Sequence, residues 1–524
     1  MPVEPARLDE ETSVSADLGT ESAPVARRLG SQALVVLAGN VFTLAVGLPL
    51  QVYVSRVLGA GGLGTYGLLE GAANTANGFL GLGLAQTAVR YVPYHLERRE
   101  PGDVRRLLRF CVTTALLAGG LGYLLFIVSL PYLGRLWPEL AAQEHVAALM
   151  GILIPLGLLI FLLQQSLRGF QEIRYMIVGS SIMQLSVKAA ATVAAFAIGL
   201  ELSGYILATV AAHLVGVLWM AFGVRRKLGE LPREEGNGQP SSLRQWVRYA
   251  AISYSNSLIG STAGYLDRFL LGAFVGSDAV GVLVVLRQLQ QFPQVFAHML
   301  LMVGTPMIAA AHARNDAAQR QHLYVLMTDW MVKASLPLVL FLLLFGTPLI
   351  SLFGPQFAQD GAPVFWLFVL AQIINVAIGP VGNIALMSGL EGAMLRLSAI
   401  NTVVSVVLLT ILAPTLGLLG VAVESVLYMA VTKISAMLLV RGKFGLRWWD
   451  RRFISWLLPS CAACAVGLVI DYAGLGAGAI GLAATLAAMY AAFVTVVLLQ
   501  GVNEEERDLL HHLMERLFGR RSAG

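Results

Sequence analysis

Runs of about 20 apolar residues, the length that carries a helix across the hydrocarbon core of a bilayer, recur along the whole chain with short polar breaks between them. They predict about fourteen helices, near 31–54, 66–91, 107–130, 146–167, 175–199, 203–224, 248–271, 281–305, 330–352, 363–387, 397–416, 420–440, 453–471 and 478–500. No polar stretch between them is long enough to fold as a water-soluble domain. The pattern therefore predicts a single all-α polytopic membrane body.

The two ends differ from the body. Residues 1–29 begin MPVEPARLDEETSVSADLGTESAPV, polar and acidic without an apolar h-region. This composition predicts a disordered tail, not a cleaved signal peptide, so the first apolar run is expected to act as the uncleaved membrane signal. After the last run, Asn503 can cap a helix with Glu506 at its third position, and Leu509, Leu510, Leu513, Leu517 and Phe518 form an apolar stripe. Residues 501–524 are accordingly expected to form an amphipathic helix on the membrane surface.

Composition supports the membrane assignment. Of 524 residues, 57% are hydrophobic and 13% charged, against about 25% charged in an average soluble domain. The mean hydropathy is +0.72. A net charge of +5 invites a nucleic-acid reading, but the basic residues are confined to alternate short loops. These hold Arg98, Arg99, Arg105 and Arg106; Arg168 and Arg174; Arg225, Arg226, Lys227, Arg233 and Arg244; Arg314 and Arg320; Arg396; and Arg441, Lys443, Arg447, Arg451 and Arg452. The intervening loops hold Arg135 with the acidic Glu139, Glu144, Asp278 and Asp360. By the positive-inside rule the chain is expected in a bacterial inner membrane with both termini in the cytoplasm, and the basicity encodes topology, with no nucleic-acid partner. Trp137, Trp246, Trp330, Trp448, Trp449 and Trp456 fall near predicted helix ends, the place of interfacial anchors.

The expected chemistry is sparse. The three cysteines, Cys111, Cys461 and Cys464, all lie in apolar segments. The C-x-x-C of Cys461 and Cys464 has no second ligand pair, which makes small packing residues the better reading, with no metal and no cofactor expected. Gly59 to Gly64, GAGGLG, matches a dinucleotide-binding string but follows a membrane helix and no strand, so it predicts a tight loop. No P-loop string occurs, which leaves an ion gradient or the membrane potential as the driving force.

An internal repeat localises the polar positions. Tyr53 and Arg56 match Tyr265 and Arg268, and Gly64 matches Gly281. From those glycines onward Glu70 falls with Arg287, Asn74 with Gln291 and Asn77 with Gln294, each triplet spaced i, i+4, i+7 on one helix face. Asn40, Thr43, Gly47 and Gln51 share a face of the first helix, and Asn256, Gly260 and Asp267 lie on the seventh. Both copies begin on the basic side, so the halves are related by parallel duplication, with two pseudo-symmetric six-helix lobes at 30–224 and 248–440. A cytoplasmic linker at 225–247 joins them, and a helix pair at 441–500 follows. A polar stripe inside a bilayer costs several kcal/mol per group unless it faces protein or water. It serves either as glue between helices or as the lining of a hydrated cavity between the lobes.

Charges in the apolar runs number few: Glu70, Arg90, Lys188, Arg268, Arg287, Asp329, Lys333, Glu424 and Lys433. Arg90, Asp329 and Lys433 lie close enough to a surface to snorkel, and Asp329 with Lys333 has the i, i+4 spacing of a pair along one helix. Arg287 with Gln291, Gln294 and His298 combines a phosphate-binding fork with amide groups suited to sugar.

The segment VSRVLGAGGLGTYGLL after the first helix, the DRFLLG…AVG segment at the seventh and eighth, the helix count and the duplicated halves resemble the multidrug/oligosaccharidyl-lipid/polysaccharide (MOP) flippase superfamily, and within it the Wzx-type polysaccharide biosynthesis flippases. The resemblance implies outward flipping of a polyprenyl-pyrophosphate-linked oligosaccharide for surface polysaccharide, without enzymatic activity. A lipid-linked glycan, the bilayer and polysaccharide assembly proteins are the expected partners. It assigns the phosphates to Arg287 with Lys188 or Lys333, and the sugar to the Asn and Gln stripe. It also lets Glu70 pair with Arg287 in one transport state and lets the last two helices flank a lipid tail. Lipid II flippases and cation-coupled multidrug exporters of the same superfamily are the alternatives. A membrane glycosyltransferase or polymerase fits less well, since no D-x-D occurs and the outer loops are short.

The charge pattern makes a direct prediction. In intact cells a membrane-impermeant maleimide should label Asp278→Cys and Asp360→Cys, and should label Arg396→Cys only after permeabilisation; the reverse pattern would invert the topology.

Overall fold

The computed structural model describes residues 11–138, 143–232 and 243–501. Among these every regular element is helical. Helix α1 runs Glu11–Leu80 and is kinked at Gly59; α2 is Leu84–Glu97, α3 Pro101–Leu136, α4 Glu144–Gly169, α5 Ile173–Ala197 and α6 Glu201–Glu230. Then come α7 Leu243–Ala263, α8 Leu266–Phe274, α9 Ser277–Gln291, α10 Gln294–Ala313, α11 Ala317–Ser351, α12 Pro355–Ala377 and α13 Val381–Met387. The last are α14 Glu391–Leu416, α15 Leu418–Phe444, α16 Arg451–Tyr472 and α17 Gly478–Leu499.

Each of the fourteen apolar segments predicted from sequence falls on helix. Among the described residues, eleven helices are long and apolar enough to cross a membrane. The first of these, Ala38–Leu80, joins two predicted segments, while the seventh and eighth segments are each broken into two shorter helices, α7 with α8 and α9 with α10. The helix begins at Glu11, where the composition predicts a disordered tail; propagation from a formed helix needs only one hydrogen bond per residue fixed. Residues 1–10, the acidic residue Glu139, part of the 225–247 linker and the amphipathic segment after Gly501 lie outside the described residues.

The predicted loop at Gly59–Gly64 is instead a one-residue kink. Gly59 takes φ 68 and ψ −175, a left-handed backbone that glycine alone adopts without a Cβ penalty. Before it, Gly39 lies on Ile177 and Tyr53 on Phe196, so α1 runs parallel to α5. After it, Gly157 lies against Asn77 and Gly169 against Val92, so the chain then runs parallel to α4. Because α4 and α5 are joined by a three-residue turn and are antiparallel, the chain reverses at Gly59.

The chain divides into two compact units, residues 1–57 with 69–262, and residues 58–68 with 263–524. The predicted lobes differ from this in two places, and both differences trace to glycine. In the first unit Gly83, itself at φ 68, leaves no room for a Cβ, which would stand 2.1 Å from the Ala250 carbonyl oxygen, and Tyr254 donates to the Phe79 carbonyl at 2.7 Å. Together these tie α7 to the first unit. Trp246 is fully buried there among Val92, Leu107, Cys111 and Leu163 and meets His95 edge-on. It is a core residue, not the interfacial anchor its position suggested.

In the second unit the two glycines matched by the repeat cross each other. A Cβ on Gly64 would stand 1.8 Å from the Ser277 oxygen, and one on Gly281 would stand 2.0 Å from the Ala60 oxygen. The contact is reciprocal, each glycine also meeting the other's backbone nitrogen, at 2.9 and 3.0 Å from the added Cβ. This is the small-residue crossing that lets membrane helices approach backbone to backbone.

Gly64→Leu or Gly281→Leu should therefore lower the thermal melting point of purified protein by several degrees, as overpacking costs about 1–3 kcal/mol. Gly102→Ala, with nothing within 4 Å of the new Cβ, is the neutral control.

Candidate functional site

In the second unit, four helices, α8, α9, α12 and α15, converge on one guanidinium. Arg287, on α9, donates from Nε and Nη2 to Asp267 Oδ2 on α8, at 3.0 and 2.8 Å. Its Nη2 also donates to Ser425 Oγ on α15 at 2.9 Å, and its Nη1 to Gln290 Oε1 at 3.1 Å. Gln290 in turn donates to the Phe368 carbonyl at 3.0 Å, and the guanidinium lies over the Phe368 ring at 5.1 Å. The neighbouring Glu424 is buried and accepts from Ser405 on α14. Side-chain exposure is 24% for Arg287 and 12% for Asp267, so this is a largely desolvated ion pair whose hydrogen bonds are what make burial tolerable.

The eighth segment is divided at Phe292 and Pro293. Arg287 and Gln291 lie on α9, Gln294 and His298 on α10. Gln294 donates to Gln372 at 3.2 Å, and Gln372 also accepts from Asn375 at 3.4 Å. Gln291 and His298 are exposed. The buried amide partner of Arg287 is Gln290, one residue from the predicted Gln291. Arg268 lies at 5.1 Å from the Tyr265 ring and its Nη1 reaches the Gly67 carbonyl at 3.5 Å, while its own N–H donates to Asp267 Oδ1 at 2.8 Å.

Lys333 stands apart from this network. It pairs with Asp329 at 2.8 Å, one turn away on α11, and Asp329 also accepts from Trp456 Nε1 at 2.7 Å. This is a brace between α11 and α16. Lys433 donates to the Gly379 carbonyl at 3.1 Å.

The first unit holds a second polar cluster. Lys188 on α5 sits 4.6 Å from the centre of the buried Tyr205 ring on α6. His213, two turns beyond Tyr205, is held by the Thr209 carbonyl at 2.8 Å and lies within electrostatic reach of both Lys188 and Glu70. Lys188 follows a π-helical turn, Val178–Met183, which shifts the helix face it occupies. Thr75 Oγ1, Asn77 Oδ1, Gln165 Oε1 and Gln184 Nε2 are buried without a hydrogen-bond partner in the protein. They are donors and acceptors able to serve a polar guest. Asn74 is exposed, Asn40 and Gln51 are half-buried, and the Asn256 side chain lies outside those described. Arg90 meets the Tyr249 ring at 4.4 Å and braces α2 on α7.

Sequence reasoning missed Gln290, Gln372, Ser405, Ser425, Tyr205 and His213. Their small or amphipathic side chains look unremarkable in an apolar run. Only Gln290 carried a signal, as one of three glutamines in four positions after Arg287.

Apolar helices of spanning length holding hydrogen-bonded charges define a multi-pass membrane protein. Residues 29–312, more than half of the chain, match the family model described as "Polysaccharide biosynthesis protein", and the chain belongs to that family. Solved structures share the fold. The lipid II flippase MurJ in an inward closed conformation has a TM-score of 0.67 at 12% identity, over 90% of this chain and 100% of that one. An inward-facing multidrug resistance MATE transporter of the MOP superfamily has a TM-score of 0.61 at 17% identity, over 77% of this chain and 94% of that one. A MOP superfamily transporter from Pyrococcus furiosus has a TM-score of 0.54 at 17% identity, over 80% and 95%. No curated protein sequence matches the chain. The polysaccharide biosynthesis family and the helical membrane fold, shared with transporters of the MOP superfamily, agree with the expectations from sequence.

The ion pair makes a stability prediction. Arg287→Leu strands the Asp267 carboxylate and should cost about 3–5 kcal/mol. The double variant Asp267→Asn/Arg287→Leu should recover a large part of that loss in thermal unfolding. Strict additivity would show that the two groups do not interact.

Proposed function

We propose that the protein flips a polyprenyl-pyrophosphate-linked oligosaccharide across the bacterial inner membrane by alternating access, with both termini in the cytoplasm, and that it supplies surface polysaccharide synthesis without catalysing a reaction. The observation that carries this reading is the family match together with hydrogen-bonded charges and unpartnered amides buried in apolar helices. A drug exporter handling apolar cations has no need of an arginine fork; a pyrophosphate has. The likeness to a lipid II flippase over nine-tenths of the chain supports a lipid-linked cargo.

In this reading Arg287 is held ready by Asp267 and exchanges that carboxylate for the pyrophosphate, keeping a charged partner throughout. An arginine without a partner in a desolvated site would cost several kcal/mol, so the exchange keeps the barrier low. Within the second unit the Gln294–Gln372 pair offers amides to the sugar. Lys333, locked to Asp329, contributes to the brace at the foot of α16 instead.

The test is transport by purified protein in vesicles carrying a fluorescent polyprenyl-pyrophosphate oligosaccharide. Lectin accessibility should rise with time. Arg287→Ala should slow the rise at least tenfold, whereas Asp267→Asn should tighten substrate binding and slow release. Flipping of lipid II in place of the oligosaccharide would move the protein to that cargo, and full activity of Arg287→Ala would remove the residue from the mechanism.

A further inference from the structure

The second unit contains a concave aromatic site, distant in sequence from Arg287, to which the transport reading gives no task. A cavity of about 370 Å³ is walled by Tyr324 at the start of α11, Met437 and Arg441 near the end of α15, and Trp448, Trp449 and Trp456 around the segment leading into α16. The rings pack on one another, with Trp448 to Trp449 at 5.9 Å, Trp449 to Phe453 at 6.1 Å and Phe453 stacked on Trp456 at 4.4 Å. Trp448 and Trp449 are nevertheless more than half exposed.

The wall is built rigidly. Gln321 clamps the Arg447 backbone from both sides, donating to its carbonyl at 3.0 Å and accepting from its N–H at 2.8 Å. Tyr324 donates to the Ile378 carbonyl at 3.2 Å, and Trp456 is pinned to Asp329, whose charge Lys333 balances. A belt of interfacial tryptophans requires only that rings reach the headgroup level. A clamped concavity is more than a belt requires.

Its rim is cationic. Arg441, Lys443, Arg447, Arg451 and Arg452 are all exposed, and the one acid among them, Asp450, is occupied with the Arg452 N–H at 2.9 Å. An apolar pocket opening beneath a run of exposed positive charge at the end of a helix bundle fits a molecule with an acyl chain and an anionic headgroup. We infer that this site binds one anionic phospholipid of the leaflet on the basic-loop side, its chain against the tryptophans and its phosphate at Arg441 and Arg447. That the leaflet is cytoplasmic rests on the topology proposed above, but the site itself does not depend on the cargo.

Native mass spectrometry of the full-length protein in detergent tests this with phosphatidylglycerol and phosphatidylcholine of identical chains. Phosphatidylglycerol should bind at least fivefold more tightly, and Arg441→Gln and Arg447→Gln should each weaken it by about fivefold, the contribution of one basic residue beside an anionic lipid. Phosphatidylcholine binding should not change in either variant, which also reports that they are folded. Trp449→Ala should weaken both lipids. Equal binding of the two lipids, indifference to the arginine substitutions, or binding of polyprenyl phosphate that phosphatidylglycerol fails to displace would each overturn the inference. Loss of glycan flipping with lipid selectivity intact would count against the proposed function alone.

Discussion

Inside a bilayer no water is available to a polar group, so each one must find its partner in the protein or in the cargo. Most features of this chain follow from that constraint. It makes every described element helical, because a helix satisfies its own backbone. It also explains why Arg287 has four hydrogen bonds from three of its nitrogens, and why Lys333 and Asp329 lie one turn apart. Where a group is left over, as with the buried amides near Asn77, the same constraint marks a place where a polar guest is useful.

The two glycine contacts follow from a different property of the bilayer. Lipid offers no hydrophobic gain for bringing one apolar helix against another, so close packing must supply the association energy. Gly64 on Gly281 and Gly83 on Ala250 bring backbones to distances that any Cβ would prevent. Each contact draws a piece of one sequence repeat into the compact unit formed mainly by the other, since Leu58–Leu68 belongs with the second unit and α7 with the first. The boundaries of the units therefore depart from those of the duplication.

Charge is used in two ways along the chain. Exposed arginines and lysines stand at helix ends and, around Arg441 and Trp449, frame a pocket suited to an anionic lipid. Among the charges inside the apolar segments, Arg287 and Lys333 meet carboxylates, Glu424 accepts from a hydroxyl and Lys433 donates to a backbone carbonyl. The proposed flipping of a lipid-linked glycan would use both arrangements: a surface that holds its position in an anionic membrane, and an interior in which a phosphate can replace a carboxylate without leaving a bare charge.

The sequence by itself determined the class, the helical segments and the family, because apolar runs long enough to span a bilayer have few other folds open to them. It also picked out Arg287, Lys188 and the paired glycines, since a charge or a repeated glycine stands out in an apolar background. Only the tertiary structure decided who pairs with whom. Arg287 matches Glu70 in the repeat, yet its partner is Asp267 on the preceding helix; Gln290 serves it in place of Gln291; and Trp246 is a core residue. The kink at Gly59 likewise replaces a loop. Partner choice depends on distances of a few ångströms between helices far apart in sequence, and helical periodicity along one segment carries no information about them.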